Sequence, residues 1–309
     1  MVASAPQRLD RLELEALRRR GYEAVNEGRY EEALLLYEHA LELARESGDS
    51  DTLDLFLVNR AAVRIELAED DRPALADELA ILREVLGRST SLENGWLAAY
   101  QIARLYERRR DFKKSLFYAR MAHDRAGWTK TARWLSSSCN LLGNVMLAES
   151  HVEEAVDAYR NALAALEPGD DVRRARIRAN VGYCFLLQQR RREGMELIYG
   201  GLRLLRRLRL ERFSISPHLD LAFGHLELSR PADARRHAVL ARALATTYRD
   251  TEALKNSLFL LGEAEQRLDL PELARETFST LQREFYRENP GLVRQLLSID
   301  VVPLLNLRA

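Results

Sequence analysis

A pattern of small and bulky residues returns along this chain every ~40 residues, and a period of that length restricts the chain to a repeat architecture. In each copy a small residue is followed, twelve positions on, by a second small residue. An aromatic or apolar residue comes four later, and a small or apolar one three after that. The clearest copies are Gly21, Ala33, Tyr37, Ala40; Gly143, Ala155, Tyr159, Ala162; and Gly262, Ala274, Phe278, Leu281. Between them lie Ala103, Ser115, Ala119, Ala122; Gly182, Gly194, Ile198, Gly201; and Ala222, Ala234, Ala238, Ala241. A weaker copy has Ala61 or Ala62 followed by Ala74. The first small position therefore falls near 21, 62, 103, 143, 182, 222 and 262, which makes seven units.

Each unit reads as two helices. Apolar residues stand three and four apart, as in Leu34, Tyr37, Leu41 and Ala44, the spacing of one helical face. Turn material sits inside the pairs, at Glu27-Gly28-Arg29, Arg110-Asp111, Ser150-His151, Arg230-Pro231 and Leu270-Pro271. Pro231 and Pro271 suit a first helical turn, where the missing N–H costs nothing. Looser turns separate the units, at Ser47-Gly48-Asp49-Ser50 and Glu167-Pro168-Gly169-Asp170 among others. Antiparallel helices approach closely only where side chains are short, and Tyr37, Tyr159 or Phe278 then fills the space beside them.

Composition agrees with a folded helical chain. Apolar residues make up 47% of 309 and the formal net charge is zero, which excludes wholesale disorder. Only 15 Gly and 8 Pro are present, too few for the turns of a sandwich or barrel. The opening MVASAPQRLDRLELEALRRRG has no signal-peptide core, and no window reaches the length of a membrane span. Cys139 and Cys184 are the only cysteines, so the expected setting is reduced and cytoplasmic, with both thiols packed in the core. No phosphate loop, dinucleotide fingerprint or HExxH motif appears. Of six scattered histidines, His218 and His225 share a helix face, but no Cys or acid pair completes a metal set with them. The expectation is a non-enzymatic chain without metal or cofactor.

These residues resemble the tetratricopeptide repeat, in its long ~40-residue form rather than the basic ~34. Unit four, NLLGNVMLAESHVEEAVDAYRNALAALEP, matches nearly throughout, whereas unit two, around AEDDRPALADE, carries an extra residue and unit five has Arg191 and Gly194 at unusual places. The resemblance implies an all-α, right-handed superhelical solenoid of seven helix-turn-helix repeats with a C-terminal capping helix, stabilised by nearest-neighbour packing. The expected organisation is a tail over 1–9, an array over 10–288 with units starting near 14, 55, 96, 136, 175, 215 and 255, and a cap over 289–309. The Leu- and Val-rich segment GLVRQLLSIDVVPLLNLRA has two readings: a capping helix ended near Pro303, or a docking strip.

In this family the first helices line a concave groove. Residues four and seven apart then share that wall: Arg18, Tyr22, Asn59, Tyr100, Gln101, Arg104, Glu107, Asn140, Asn144, Arg176, Asn180, Tyr183, Ser216, Asp220, Glu263 and Gln266. The expected partner is a protein or extended peptide held there. Asn140, Asn144 and Asn180 would capture its main chain, because an amide both donates and accepts. Tyr100 and Tyr183 would anchor it, and Arg104 and Arg176 would read its charge. A co-chaperone-type carboxylate clamp fits poorly: Arg18 and Asn59 suit it, but Tyr22, Leu97 and Gln101 do not. Charge is also uneven. Residues 10–54 hold 13 acids and 6 bases, whereas 172–213 hold 12 Arg and 3 Glu. The basic unit, with Arg190, Arg191, Arg192, Arg203, Arg206 and Arg207, suits an acidic protein partner, or, in the second reading, nucleic acid.

Overall fold

The computed structural model describes residues 5–68 and 72–308, all helix, turn and loop, with no strand among them. Two compact units divide the chain, Met1–Val145 and Met146–Ala309. The first contains α1 (Ala5–Asn26), α2 (Tyr30–Ser47), α3 (Ser50–Leu67), α4 (Arg72–Arg88), α5 (Leu92–Arg108), α6 (Phe112–Thr129) and most of α7 (Ala132–Ala148). The second contains α8 (Val152–Ala164), α9 (Asp171–Leu187), α10 (Arg191–Arg207), α11 (Ile215–Glu227), α12 (Pro231–Thr247), α13 (Thr251–Arg267), α14 (Pro271–Phe285) and the short α15 (Leu292–Leu296). Odd-numbered helices up to α13 are the first members of pairs. Within each unit, helices pack on their chain neighbours and first helices pack on one another, α3 on α5 and α11 on both α9 and α13. This is the all-α, solenoid-type arrangement expected from the period. Among the described residues, no helix is long and apolar enough to cross a membrane.

The turns inside pairs are copies of one device. Arg29 N–H donates to Ala24 C=O at 2.8 Å, Asp111 to Tyr106 at 3.0 Å, His151 to Met146 at 2.8 Å, Arg190 to Phe185 at 2.8 Å, Arg230 to His225 at 2.8 Å and Leu270 to Glu265 at 3.0 Å. Each bond reaches back five residues and closes a helix end around a left-handed residue. That residue is Gly28, then Arg110, Ser150, Gln189, Ser229 and Asp269, with φ between 53° and 77°. Only Gly28 adopts this conformation without steric cost. Pro231 and Pro271 open α12 and α14 in the first turn, as expected. First helices α3, α5, α9 and α13 begin about one turn ahead of the apolar pattern, because Asp49, Ser91, Asp170 and Asp250 cap them there.

Small residues sit where helices touch. In the first unit the Tyr37 ring lies over Gly21, in the space a Cβ would need. Ser115, at the second small position of its pair, is fully buried and donates its hydroxyl to Ala103 C=O at 2.9 Å. In the second unit a Cβ on Gly182 would stand 2.7 Å from Gly194 O, and one on Gly194 would stand 2.6 Å from Gly182 O. Phe278 covers Gly262 in the same manner as Tyr37 covers Gly21. Tyr159 and Phe278 are completely buried. The Ala74 side chain and residues 69–71 of the irregular unit lie outside the described residues. Cys139 and Cys184 are buried and unbridged. Burial pushes the Cys184 thiol up to about 12, as suits a core thiol.

Because the Gly182–Gly194 contact is backbone to backbone, Gly182→Ala cannot be relieved by a rotamer change. Its expected cost is about 1–3 kcal/mol of unfolding free energy, the range for overpacking. Gly87→Ala, with nothing within 4 Å of its Cβ position, should be neutral or slightly stabilising. Urea midpoints of the two variants against the parent measure both.

Candidate functional site

The first-helix face of the second unit is occupied by the chain's own 297–308 segment. After α14, only Leu292–Leu296 is helical. That short helix packs against α14, so helical capping is confined to five residues. The remainder leaves the helix and, apart from a 3-10 turn at Val302–Leu304, crosses the first helices as irregular chain. Val301, Val302 and Leu307 are buried, each worth about 1.5–3 kcal/mol of apolar burial.

Its main chain is held by side chains of α9 and α13. Gln266 Nε2 donates to Leu297 C=O at 3.3 Å, and Glu263 Oε2 accepts Val301 N–H at 3.4 Å. Asn256 Nδ2 donates to Leu307 C=O at 3.5 Å, and Tyr183 Oη accepts Leu307 N–H at 3.0 Å. Arg267 bridges Glu263 and Asp300, both at 2.7 Å. Asn306 Nδ2 donates to Leu147 C=O, at the end of α7, at 3.1 Å.

The segment ends in an ion pair. The Arg308 guanidinium donates to Asp220 Oδ2 at 2.8 Å and lies 4.6 Å from the centre of the Tyr183 ring. Asp220, on α11, is fully buried, and its Oδ1 has no hydrogen-bond partner among the described residues. Burial raises the Asp220 carboxyl to about 6, with Arg308 pulling the other way. Burial opposes the charge on Arg308 too, but Asp220 outweighs it and holds the guanidinium above its ordinary range. At neutral pH the pair is therefore ionised, with attraction strengthened by the low local dielectric.

Against known proteins, residues 16–50 match the family model described as tetratricopeptide repeat. This is a tetratricopeptide-repeat fold. Solved structures agree over nearly the whole chain. A Rap protein complexed with competence and sporulation factor gives a TM-score of 0.71 at 12% identity, covering 94% of this chain and 79% of that one. The apo form of RapI gives 0.58 at 14%, covering 92% and 84%. A tetratricopeptide repeat protein from Parabacteroides merdae gives 0.53 at 14%, covering 93% and 98%. At such identities the likeness carries the fold. No curated protein matches the chain.

Within the tetratricopeptide array, the sequence-derived wall residues fall in both units. In the second, Asp220, Glu263 and Gln266 all touch the 297–308 segment. Tyr183 is completely buried, edge-on to Phe223 at 5.7 Å, and offers its hydroxyl rather than its ring face to a peptide N–H. Asn180 is half-buried on α9. Arg176 is exposed, with its guanidinium 4.6 Å from the centre of the Phe213 ring. In the first unit, Tyr100 stacks on Trp96 at 5.3 Å, and Trp96 on Trp134 at 5.1 Å. Arg104 is paired with Glu66. Asn140 and Asn144 are half-buried on α7. Of the basic set, Arg190 pairs with Glu193 at 2.6 Å and Arg191 with Glu227 at 3.0 Å. Arg192, Arg203, Arg206 and Arg207 are exposed on α10.

His237 on α12, which sequence spacing did not place with them, also meets His218 and His225 of α11 in the second unit. His218 Nδ1 and His237 Nδ1 are 2.9 Å apart, His225 and His237 stack at 5.5 Å, and Tyr199 Oη reaches His225 Nε2 at 2.8 Å. Burial lowers His218 and His237 to about 4, so all is neutral imidazole at pH 7. Among the described residues no set of three His, Cys, Asp or Glu is arranged to hold a metal ion.

Arg308, Leu307 and Asn306 were not marked as site residues by sequence. The one available signal was apolar density after the last repeat, and it carried no direction.

The Asp220–Arg308 pair sets a pH signature. An acid whose folded pKa lies above its unfolded value favours folding as the pH falls through about 6 towards 4. Arg308→Ala removes the cation that holds the carboxyl down, so the loss is largest where the parent carboxylate is ionised and shrinks as the pH falls and it takes a proton. The variant should therefore lose about 3 kcal/mol at pH 8 and much less at pH 5. Denaturant titrations of parent and variant at the two pH values measure the difference.

Proposed function

We propose that this chain is a non-enzymatic scaffold that holds a protein partner, through an extended peptide segment, on the first-helix face of its repeats. One observation carries the reading. Four side chains on that face, Tyr183, Asn256, Glu263 and Gln266, already bond to main-chain N–H and C=O groups of a peptide segment. Main-chain bonds give affinity without demanding one sequence, and side-chain pockets then select. The Rap protein of the structural comparison is itself complexed with competence and sporulation factor, which supports a binding role for a fold of this kind.

On this reading Asn180, Arg176 and Tyr183 serve the second unit, and Tyr100, Arg104, Asn140 and Asn144 serve the first. The chemistry of the buried thiols and imidazoles fits structure better than turnover, since burial keeps all of them uncharged. The second reading, nucleic-acid binding, rests on the exposed α10 arginines. It predicts affinity that falls steeply with salt.

Panning a random 12-residue peptide library on the immobilised full-length protein tests the scaffold reading. Selected peptides should lose about tenfold in affinity to Asn180→Ala or to Asn140→Ala/Asn144→Ala, the cost of a lost hydrogen bond to a bound ligand. Helix content by circular dichroism should not change. Failure to select any peptide, or RNA binding at low salt in its place, overturns the reading.

A further inference from the structure

We infer that the 297–308 segment is a tethered ligand of this face, and that the site it fills takes an external peptide segment bearing arginine after a leucine. The inference rests on the peptide-binding reading above and adds to it the ligand's chemistry and the chain's own competition for the site.

Three features of the contact are those of a ligand rather than of a cap. A cap covers the outer side of the last repeat with apolar contacts. Here Leu292–Leu296 does that, against α14. The 297–308 segment instead runs back across three first helices, α13, α11 and α9; side chains of α13 and α9 grip its main chain, and Asp220 of α11 takes its arginine. Second, its one deeply seated charge meets a completely buried carboxylate. A buried Asp without a cation is costly, and α11 is not required by the repeat pattern to carry one at 220. The carboxylate makes sense as a receptor for a guanidinium that arrives from elsewhere in the chain or from outside it. Third, the fit is incomplete. Arg308 is bonded to Oδ2, while Asp220 Oδ1 is buried without a hydrogen-bond partner among the described residues. A guanidinium can engage both oxygens of a carboxylate through two parallel N–H donors. The chain's own arginine thus leaves one acceptor unmet, which an external arginine entering at a better angle can satisfy.

Tethering explains how an imperfect ligand holds the site. A segment joined to its receptor acts at millimolar effective concentration for a short linker, so modest intrinsic affinity keeps it docked. An external peptide then binds with its affinity reduced by the fraction of molecules whose segment is released. Its binding must expel Leu307 and Arg308, which gives occupancy of the face a readable consequence: a released, partly apolar chain segment.

The test uses the full-length protein and a fluorescein-labelled peptide of residues 299–308, IDVVPLLNLR. Leu307→Ala/Arg308→Ala weakens the tethered copy but leaves Asp220 and Tyr183 in place. Fluorescence polarisation should show this variant binding the peptide at least tenfold tighter than the parent does. In the same background, Asp220→Asn should remove that gain, and a peptide with Arg308→Ala should bind at least tenfold more weakly. Equal affinity of parent and variant, or indifference to the peptide's arginine, overturns the inference. Both results leave the scaffold reading intact wherever library-selected peptides still bind, which separates the two failures. Should the variant not fold, hydrogen exchange on the parent decides. A saturating selected peptide should deprotect the amides of residues 301–308, including that of Leu307, and unchanged protection there overturns the inference.

Discussion

Close approach of two helices within a pair is the contact on which the rest of this structure depends. Where Gly182 faces Gly194, each glycine takes the other's carbonyl within a distance no Cβ permits. Where a larger gap is left, a ring fills it: Tyr37 over Gly21 and Phe278 over Gly262. Each pair so formed buries only part of its apolar surface, and the next pair covers the remainder. Stability in such an array is close to a sum of neighbour terms. The same geometry sets first helices beside first helices, α9 by α11 by α13, and leaves one of their faces available for something else.

What that face does follows from its polar side chains. Gln266, Glu263, Asn256 and Tyr183 are spaced to meet peptide N–H and C=O groups, and Asp220 lies at the bottom of the arrangement without access to water. A buried carboxylate of this kind either takes a proton or demands a cation, and Arg308 supplies the cation at neutral pH. The overall charge of zero says nothing about this. Attraction between two groups 2.8 Å apart in a low dielectric is local and indifferent to the sum over the chain.

Much of the helical layout is legible in the residues. The twelve-residue offset between small positions places them at facing points of two antiparallel helices, and Pro231 and Pro271 mark helix starts by what they lack. Asp220, Glu263 and Gln266 stand on first helices, where the resemblance to the repeat family placed them. The left-handed turn residues are less legible. Gly28 announces itself, but Arg110, Ser150, Gln189, Ser229 and Asp269 adopt the same conformation because helix packing on both sides imposes it. The five-residue extent of α15 was equally hidden, since the apolar residues that suggested a longer capping helix are the ones that bury themselves against first helices.

The sequence by itself determined the period and the helix pairs. These rest on contacts between residues a few turns apart, repeated along the chain, so the signal accumulates with each copy. Only the tertiary structure decided where the 297–308 segment goes. Arg308 meets Asp220 across 88 residues and Leu307 meets Tyr183 across 124, single contacts with no repeat to reinforce them. They become visible only once neighbour packing has brought α9, α11 and α13 side by side. His237 joins His218 and His225 for the same reason, brought to their shared helix face by the packing of α11 on α12.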